Sequence, residues 1–437
     1  MQEFKITGQV PIQGEITPQG NKNEALPILC AALLNANEVT LRNVPNIKDI
    51  QKLIEILEFL GAKVEYLSQS KNDLKINTVE VIESRLSDEL SKQIRGSVTL
   101  LAPILARMGS VYLPRPGGDK IGRRRVDTHL MALEALGAKV EVFHEGYQLD
   151  ATILKGANIL LDEASVTGTE NAVMAASVAN GITKIENAAC EPHVQGLCNF
   201  LVKQGVKIEG IGSNVLTIYG LGSHKKLKSV EHTIGPDYLE IGSFISMAAL
   251  TGGALTIKNV NRDDLRMIRQ VFRKMGIEFT YRDDNLITDL ILAPDQSLTM
   301  GTDVHGEIAK IDDAPWPAFP ADLISIAIVT ATQCKGTILF HEKMFESRLY
   351  FTDKLVSMGA KIVLCDPHRA LVIGPTQLFS AKLSSPDIRA GMALVIAALA
   401  AEGESVIQNI IQVDRGYEKM DERLTKLGAK IERRDTK

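Results

Sequence analysis

No stretch of this chain stays apolar for the roughly 20 residues that a membrane-spanning helix needs. The longest apolar run, Met392 to Ala401, has the length of a buried helix. The N-terminus, Met-Gln-Glu-Phe-Lys-Ile, lacks a basic start followed by an apolar core, so no secretory signal is expected. Aromatics make up only 5% of the 437 residues, which leaves few platforms for stacking nucleic-acid bases. A net charge of -4 argues against a general nucleic-acid binder, so any anion site must be local. The five cysteines form an odd set without a C-x-x-C pair, which points to reduced thiols in a cytoplasmic protein. Walker A, G-x-G-x-x-G and His-Glu-x-x-His patterns are all missing, which removes P-loop, Rossmann and zinc-protease readings.

What the chain does contain is repetition. A helix ending in glycine and followed by a strand recurs six times, at Gly61, Gly137, Gly205, Gly276, Gly359 and Gly428. The spacings are 76, 68, 71, 83 and 69 residues. Each glycine follows an amphipathic stretch, such as Ile50, Leu53, Ile54 and Leu57, and is expected as a left-handed helix terminator. An earlier, more apolar helix precedes each amphipathic one; Ala25–Leu34, Ile241–Leu250, Leu323–Ala331 and Met392–Ala401 are examples. Helices apolar on most faces must be buried. The reading is an α/β fold of six strand–helix–strand–helix–strand units, three to a domain, each with one inner and one outer helix. The boundaries expected are 21–234 for the first domain, carrying the loop 114–128, and 1–20 plus 235–437 for the second. Two chain crossings would then flank a ligand cleft.

Charged residues gather at the element ends. The loop Pro114 to Leu130 holds Gly117, Gly118 and Gly122, the arginines Arg123, Arg124 and Arg125, and a lone acid, Asp119. Gly20-Asn21-Lys22-Asn23 opens the first buried helix, either as an anion site or as a start capped by Asn21 or Asn23. Arg95 stands at the equivalent place of the second unit. Ser165 to Asn171 opens the third helix with small hydroxyl residues that can cap it or meet a polar ligand. The second half places Asp237, Asp322 and Arg389 at helix starts, and Arg348 and Arg415 in loops after strands. His129 is expected to be packed rather than chemical. Lys22, Arg95, Arg124, Arg348, Arg389 and Arg415 can converge, and uncompensated buried cations at that density would call for a multiply charged anion.

These motifs, Gly20-Asn21-Lys22-Asn23, Pro116-Gly117-Gly118 with Ile121-Gly122, Arg124 to His129, Phe319-Pro320-x-Asp322, Asp387-x-Arg389 and Asp414-Arg415-Gly416-Tyr417, occur in order over the full length. By them the chain resembles the UDP-N-acetylglucosamine enolpyruvyl transferase family. The resemblance implies two inside-out, barrel-like α/β domains of three repeats each. It implies enolpyruvyl transfer from phosphoenolpyruvate to the 3-hydroxyl of UDP-N-acetylglucosamine at the start of peptidoglycan synthesis, with no metal or organic cofactor. In this family reading Lys22, Arg124 and Arg415 hold phosphate, and Arg348 and Arg389 hold the carboxylate. Asp322 orients or deprotonates the sugar hydroxyl, and Asp119 protonates C3. Asn23 would meet both substrates; Arg95, Arg124, Arg125, Val126, Asp127, Thr128, Ser165, Val166, Asp322 and Met344 would meet the UDP-sugar. Asp119 stands where the family usually has cysteine, Arg125 where it has proline, and Glu163 and Thr167 where it has lysine and glycine. The rival readings are the sister transferase acting on shikimate 3-phosphate and a non-catalytic nucleotide-sugar sensor.

Overall fold

The computed structural model describes residues 2–118, 122, 124–284 and 287–436. In the first repeat the inner helix Lys22–Ala32 leads to the strand Val39–Arg42, the outer helix Lys48–Phe59 and a hairpin of Lys63–Tyr66 and Leu74–Asn77. Pro27 interrupts the inner helix without ending it, and nine of its eleven residues are buried. The outer helix buries Ile50, Leu53, Ile54 and Leu57, spaced to share one face. The second hairpin strand lies between its partner and Val39–Arg42, pairing Leu41 with Leu74 and Val64 with Ile76. This unit therefore has one strand more than the spacing predicts. The strand after the outer helix sits at the sheet edge and needs the extra leg to reach the centre.

Among the described residues five sheets have four strands and one, Ser110–Pro114 with Gly146–Asp150 and Lys139–Val142, has three. There the usual parallel edge strand shrinks to a single bridge from Arg85 to Tyr112, where the Arg85 guanidinium lies 4.0 Å from the ring centroid. Edge strands also come from distant sequence. Val230–Thr233 pairs in parallel with Val39–Arg42, and Gly14–Ile16 pairs in parallel with Leu255–Ile257. Gln2–Thr7 inserts between Glu404–Gln408 and Lys430–Asp435, antiparallel to both.

The chain divides into two compact units, residues 20–118 with 124–235, and residues 2–19 with 236–436. In the first, the inner helices Lys22–Ala32, Leu101–Met108 and Val166–Val178 share one core. In the second, Tyr238–Thr251, Ile324–Ala331 and Ile388–Ala400 do the same, with the sheets outside. Small residues let these helices approach, and Ser246 meets Thr330 through a 2.6 Å hydroxyl hydrogen bond that satisfies both buried groups. Cys30, Cys198 and Cys334 are buried free thiols, and burial pushes Cys198 and Cys334 up to about 12. No helix among the described residues is long and apolar enough to cross a membrane.

The six repeat glycines all have positive φ, from 73° at Gly276 to 106° at Gly359. A Cβ at Gly276 would lie 2.4 Å from Ser297 Oγ and 2.6 Å from the Thr299 nitrogen, whereas at Gly137 nothing comes nearer than 3.6 Å. Gly137→Ala should therefore cost about 1 kcal/mol from φ strain, and Gly276→Ala at least ~2 kcal/mol once the clash is added. Equal urea midpoints for the two variants would contradict this.

Candidate active site

In the unit 20–235, Asn21 caps the first inner helix by accepting from the Glu24 N–H at 3.0 Å. That leaves Lys22 at the first helical position, where its ammonium lies 2.8 Å from Asp49 and both side chains are buried. Glu24 takes the Gly235 N–H at 3.0 Å and His232 Nε2 at 3.1 Å, and so ties the helix start to the strand beside it. Asp49, in the first turn of the next helix, is a partner that spacing alone does not reveal.

Arg95 folds the basic loop onto itself. Its Nη2 donates to the carbonyls of Arg124 at 2.8 Å and Arg125 at 3.0 Å. Burial and the Arg124 charge bring Arg95 down to about 10, still a cation at neutral pH. Two glycines permit this packing. A Cβ at Gly117 would stand 1.6 Å from the Lys92 carbonyl oxygen, and Gly118 has φ of 118° directly against Arg95. The segment then enters the helix Asp127–Ala135. Arg125 reaches Asp162 at 2.8 Å and Asp127 at 3.4 Å, and Thr128 donates to Asp162 at 2.7 Å and Glu163 at 3.3 Å. The Thr128 hydroxyl and Arg125 hold the Asp162 carboxyl below its ordinary value despite partial desolvation. Ser165 caps the helix Val166–Val178 through the Gly168 N–H at 3.2 Å. The three unusual residues 125, 163 and 167 thus each find a neighbour, Thr167 meeting His129 Nε2 at 3.0 Å.

In the other unit Asp322 follows the proline-rich approach in a short turn before the helix Ile324–Ala331. Its two oxygens accept from two different arginines, Oδ1 from Arg348 Nη2 and Oδ2 from Arg389 Nε, each at 3.1 Å. Both guanidiniums are buried, and Arg389 stacks 5.3 Å from the Tyr417 ring centroid. Burial alone would lower Arg389, but Tyr417, Asp322 and Asp237 around it carry it above its ordinary value. Its Nη1 has no acceptor among the described residues. Asp237, raised to about 6 by burial, caps the helix Tyr238–Thr251, and Tyr417 meets Ser243 at 3.1 Å. Gln19 brackets the Asp414-to-Tyr417 loop, donating to the Gly416 carbonyl at 2.8 Å and accepting from Glu418 at 2.7 Å. Arg433 grips Asp414 with two bonds of 2.8 Å, and Arg415 donates to Gln412 at 2.8 Å.

The structure therefore brings Arg95 together with the 124–125 backbone, and Asp322 together with Arg348 and Arg389, while Lys22 is held by Asp49. Met344 is partly exposed at 38%, and its N–H donates to Glu342 at 3.2 Å. Asp119 lies outside the described residues. One premise needs correction: the cations at Lys22, Arg348 and Arg389 have internal carboxylate partners, Asp49 and Asp322, so a bound anion must share or displace them. Asp49, Asp162, Gln19 and Arg433 were not singled out from sequence; they are ordinary helix, loop and strand residues until the fold turns them inward.

Sheets, buried helices and site together define an enolpyruvyl transferase fold. The enolpyruvyl transferase NikO from Streptomyces tendae superposes with a TM-score of 0.88 at 21% identity, covering 100% of this chain and 99% of that one. EPSP synthase from Acinetobacter baumannii gives 0.77 at 16% identity over the whole of both chains. The EPSP synthase (3-phosphoshikimate 1-carboxyvinyltransferase) family pattern matches residues 6–424. UDP-N-acetylglucosamine 1-carboxyvinyltransferase of Treponema denticola is 51% identical over 432 residues, 99% of each chain. The Bradyrhizobium diazoefficiens enzyme of that name is 51% identical over 431 residues, 99% of this chain and 98% of its own. The chain belongs to the EPSP synthase family and, within it, to the UDP-N-acetylglucosamine 1-carboxyvinyltransferases.

His129, packed as expected, is buried with Nδ1 2.7 Å from Asn171 and Nε2 against Thr167. Burial, with Arg95 nearby, lowers it to about 3. A depressed histidine contributes stability above its ordinary value of 6.5 and loses it as pH falls toward 3. Thermal or urea unfolding should show a loss of about 1.4 kcal/mol per pH unit over that window, and His129→Gln should remove this part of the slope.

Proposed function

We propose that the chain transfers the enolpyruvyl group of phosphoenolpyruvate to the 3-hydroxyl of UDP-N-acetylglucosamine and releases phosphate. The observation that carries this reading is the Asp322 carboxylate held by Arg348 and Arg389. The full-length identity of about half to named transferases of this specificity supports it. The chemistry accounts for the residue types. C3 of phosphoenolpyruvate takes a proton, and the sugar oxygen bonds to the cationic C2. The tetrahedral intermediate then loses the C3 proton and phosphate, which restores the double bond.

Asp322, fixed by two N–H donors, orients the sugar hydroxyl and takes its proton. Arg348 and Arg389 grip the carboxylate of phosphoenolpyruvate; each guanidinium has five N–H donors, so it can serve Asp322 and a ligand together. Lys22, Arg124 and Arg415 hold the phosphate, with Lys22 exchanging Asp49 for the ligand. Asn23, Arg95, the 124–128 segment, Ser165, Val166 and Met344 meet the UDP-sugar. Asp119 delivers the proton to C3. The reaction belongs to the cytoplasm, at the first committed step of peptidoglycan synthesis, and so bears on cell wall biogenesis, cell shape and division.

Phosphate release from phosphoenolpyruvate should require UDP-N-acetylglucosamine. Release with shikimate 3-phosphate alone would overturn the acceptor assignment, and binding of UDP-N-acetylglucosamine without turnover would favour a sensor. Asp119→Asn should lower kcat by ~10²–10⁴ while calorimetry still registers the UDP-sugar. Full activity in that variant would refute the role. Without a thiol at position 119 the chain should also resist fosfomycin, which alkylates the family's cysteine there; rapid inactivation with an adduct on residues 114–128 would contradict that resistance.

A further inference from the structure

Beneath Arg348 lie two acids that the transfer chemistry does not use. Asp313 follows the strand Ala309–Asp312, and Glu342 follows the parallel strand Gly336–His341. Both carboxyls are fully buried, at 0% exposure. Each has one oxygen held by backbone: Asp313 Oδ1 accepts from the Lys343 N–H at 2.6 Å, and Glu342 Oε1 accepts from Met344 and Phe345 at 3.2 and 3.1 Å. The other oxygens, Asp313 Oδ2 and Glu342 Oε2, have no donor among the described residues, and the parallel register that pairs Asp312 with His341 sets the next residues, Asp313 and Glu342, side by side. Arg348 Nε, likewise without a hydrogen-bond acceptor, is 3.6 Å from Glu342 Oε2.

Two buried carboxylates facing each other are mutually repulsive, and one proton between them satisfies both bare oxygens. We propose that Asp313 and Glu342 share a single proton, so that one negative charge rather than two underlies Arg348 and leaves its Nη2 turned toward Asp322. In that arrangement the pair is a positioning device for Arg348, and the proposal rests on Arg348 being a ligand of the substrate carboxylate. Burial first, and Asp313 second, push Glu342 up to about 9. The other charged groups nearby point elsewhere. The Lys343 ammonium pairs with Asp312, His368 Nδ1 bonds the Glu342 carbonyl oxygen at 2.7 Å, and His341 offers its backbone carbonyl to Asp313. Arg348 is thus the cation that responds when the second charge forms. Loss of the shared proton draws the guanidinium down toward Glu342 and adds a negative charge beside an anion site.

Glu342→Gln retains the acceptor Oε1 and places an amide donor where the proton would be. Infrared difference spectra of the ligand-free chain should show a protonated carboxylic acid at neutral pH that is missing from Glu342→Gln. A raised carboxyl contributes stability below its ordinary 4.5 and loses it as pH rises toward 9. Unfolding midpoints of the parent should decline across that window more steeply than those of Glu342→Gln. The KM for phosphoenolpyruvate should rise above about pH 9 by up to about tenfold per pH unit, and this limb should flatten in Glu342→Gln. Asp313→Asn, which keeps the acceptor for Lys343, provides the same comparison if the glutamine variant folds poorly. Protonated-acid absorbance of unchanged intensity in both variants overturns the shared proton, and an unchanged KM profile overturns the positioning of Arg348. The infrared and unfolding measurements need no substrate, so failure of the transfer reaction would leave them intact.

Discussion

The second half of this molecule depends on one carboxylate caught between two buried cations. Asp322 accepts from Arg348 and Arg389 at equal distances, and neither arginine could remain buried without such a partner. Arg389 opens the inner helix capped by Asp387, and Asp322 introduces the helix beside it, so the ion triad joins two of the helices that make the core. Arg348 adds the loop after the neighbouring strand. Removing Asp322 would take a carboxylate partner from two buried guanidiniums, which costs several kcal/mol. The packing of the unit and the geometry of its chemistry therefore share one set of bonds.

The same logic recurs with other partners. Lys22 is held by Asp49, Arg423 by Glu240, and Arg433 by Asp414 and Asp421 together. In each case a charge on one element is answered by a charge on another. Glu240 is fully buried and also accepts the Gln19 N–H at 2.8 Å, which fastens the N-terminal segment beside the Arg415 loop. In the proposed site such pairing aims the donors before a ligand arrives.

The fold was legible where the physical signal is local. Ile50, Leu53, Ile54 and Leu57 announce a one-faced helix, and the glycines that end six such helices take positive φ because a side chain there would be strained. The extra hairpin leg at Leu74–Asn77 was harder to read, since four residues with two inward-facing apolar ones resemble any short strand. Edge strands such as Val230–Thr233 and Gly14–Ile16 are silent in sequence because their partners lie some 190 to 240 residues away. Among site residues, Asp322, Arg389 and Arg415 were visible through motif and repeat position. Asp49, Asp313, Glu342 and Arg433 were not, because nothing in their own neighbourhood distinguishes a carboxylate or guanidinium bound for the interior from one bound for solvent.

Sequence alone determined the sixfold repeat, the burial of one helix in each unit, the placing of cations at element ends, and the family to which the motifs belong. Periodicity and ordered motifs carry that information without reference to any distant contact. Tertiary structure decided which charge meets which: that Asp322 is divided between two arginines, that Lys22 already has a counter-ion, and that Asp313 faces Glu342 beneath Arg348. Those pairings join residues 26 to 67 positions apart, or lie across parallel strands, and their energies exist only once burial has removed the water that would otherwise screen them.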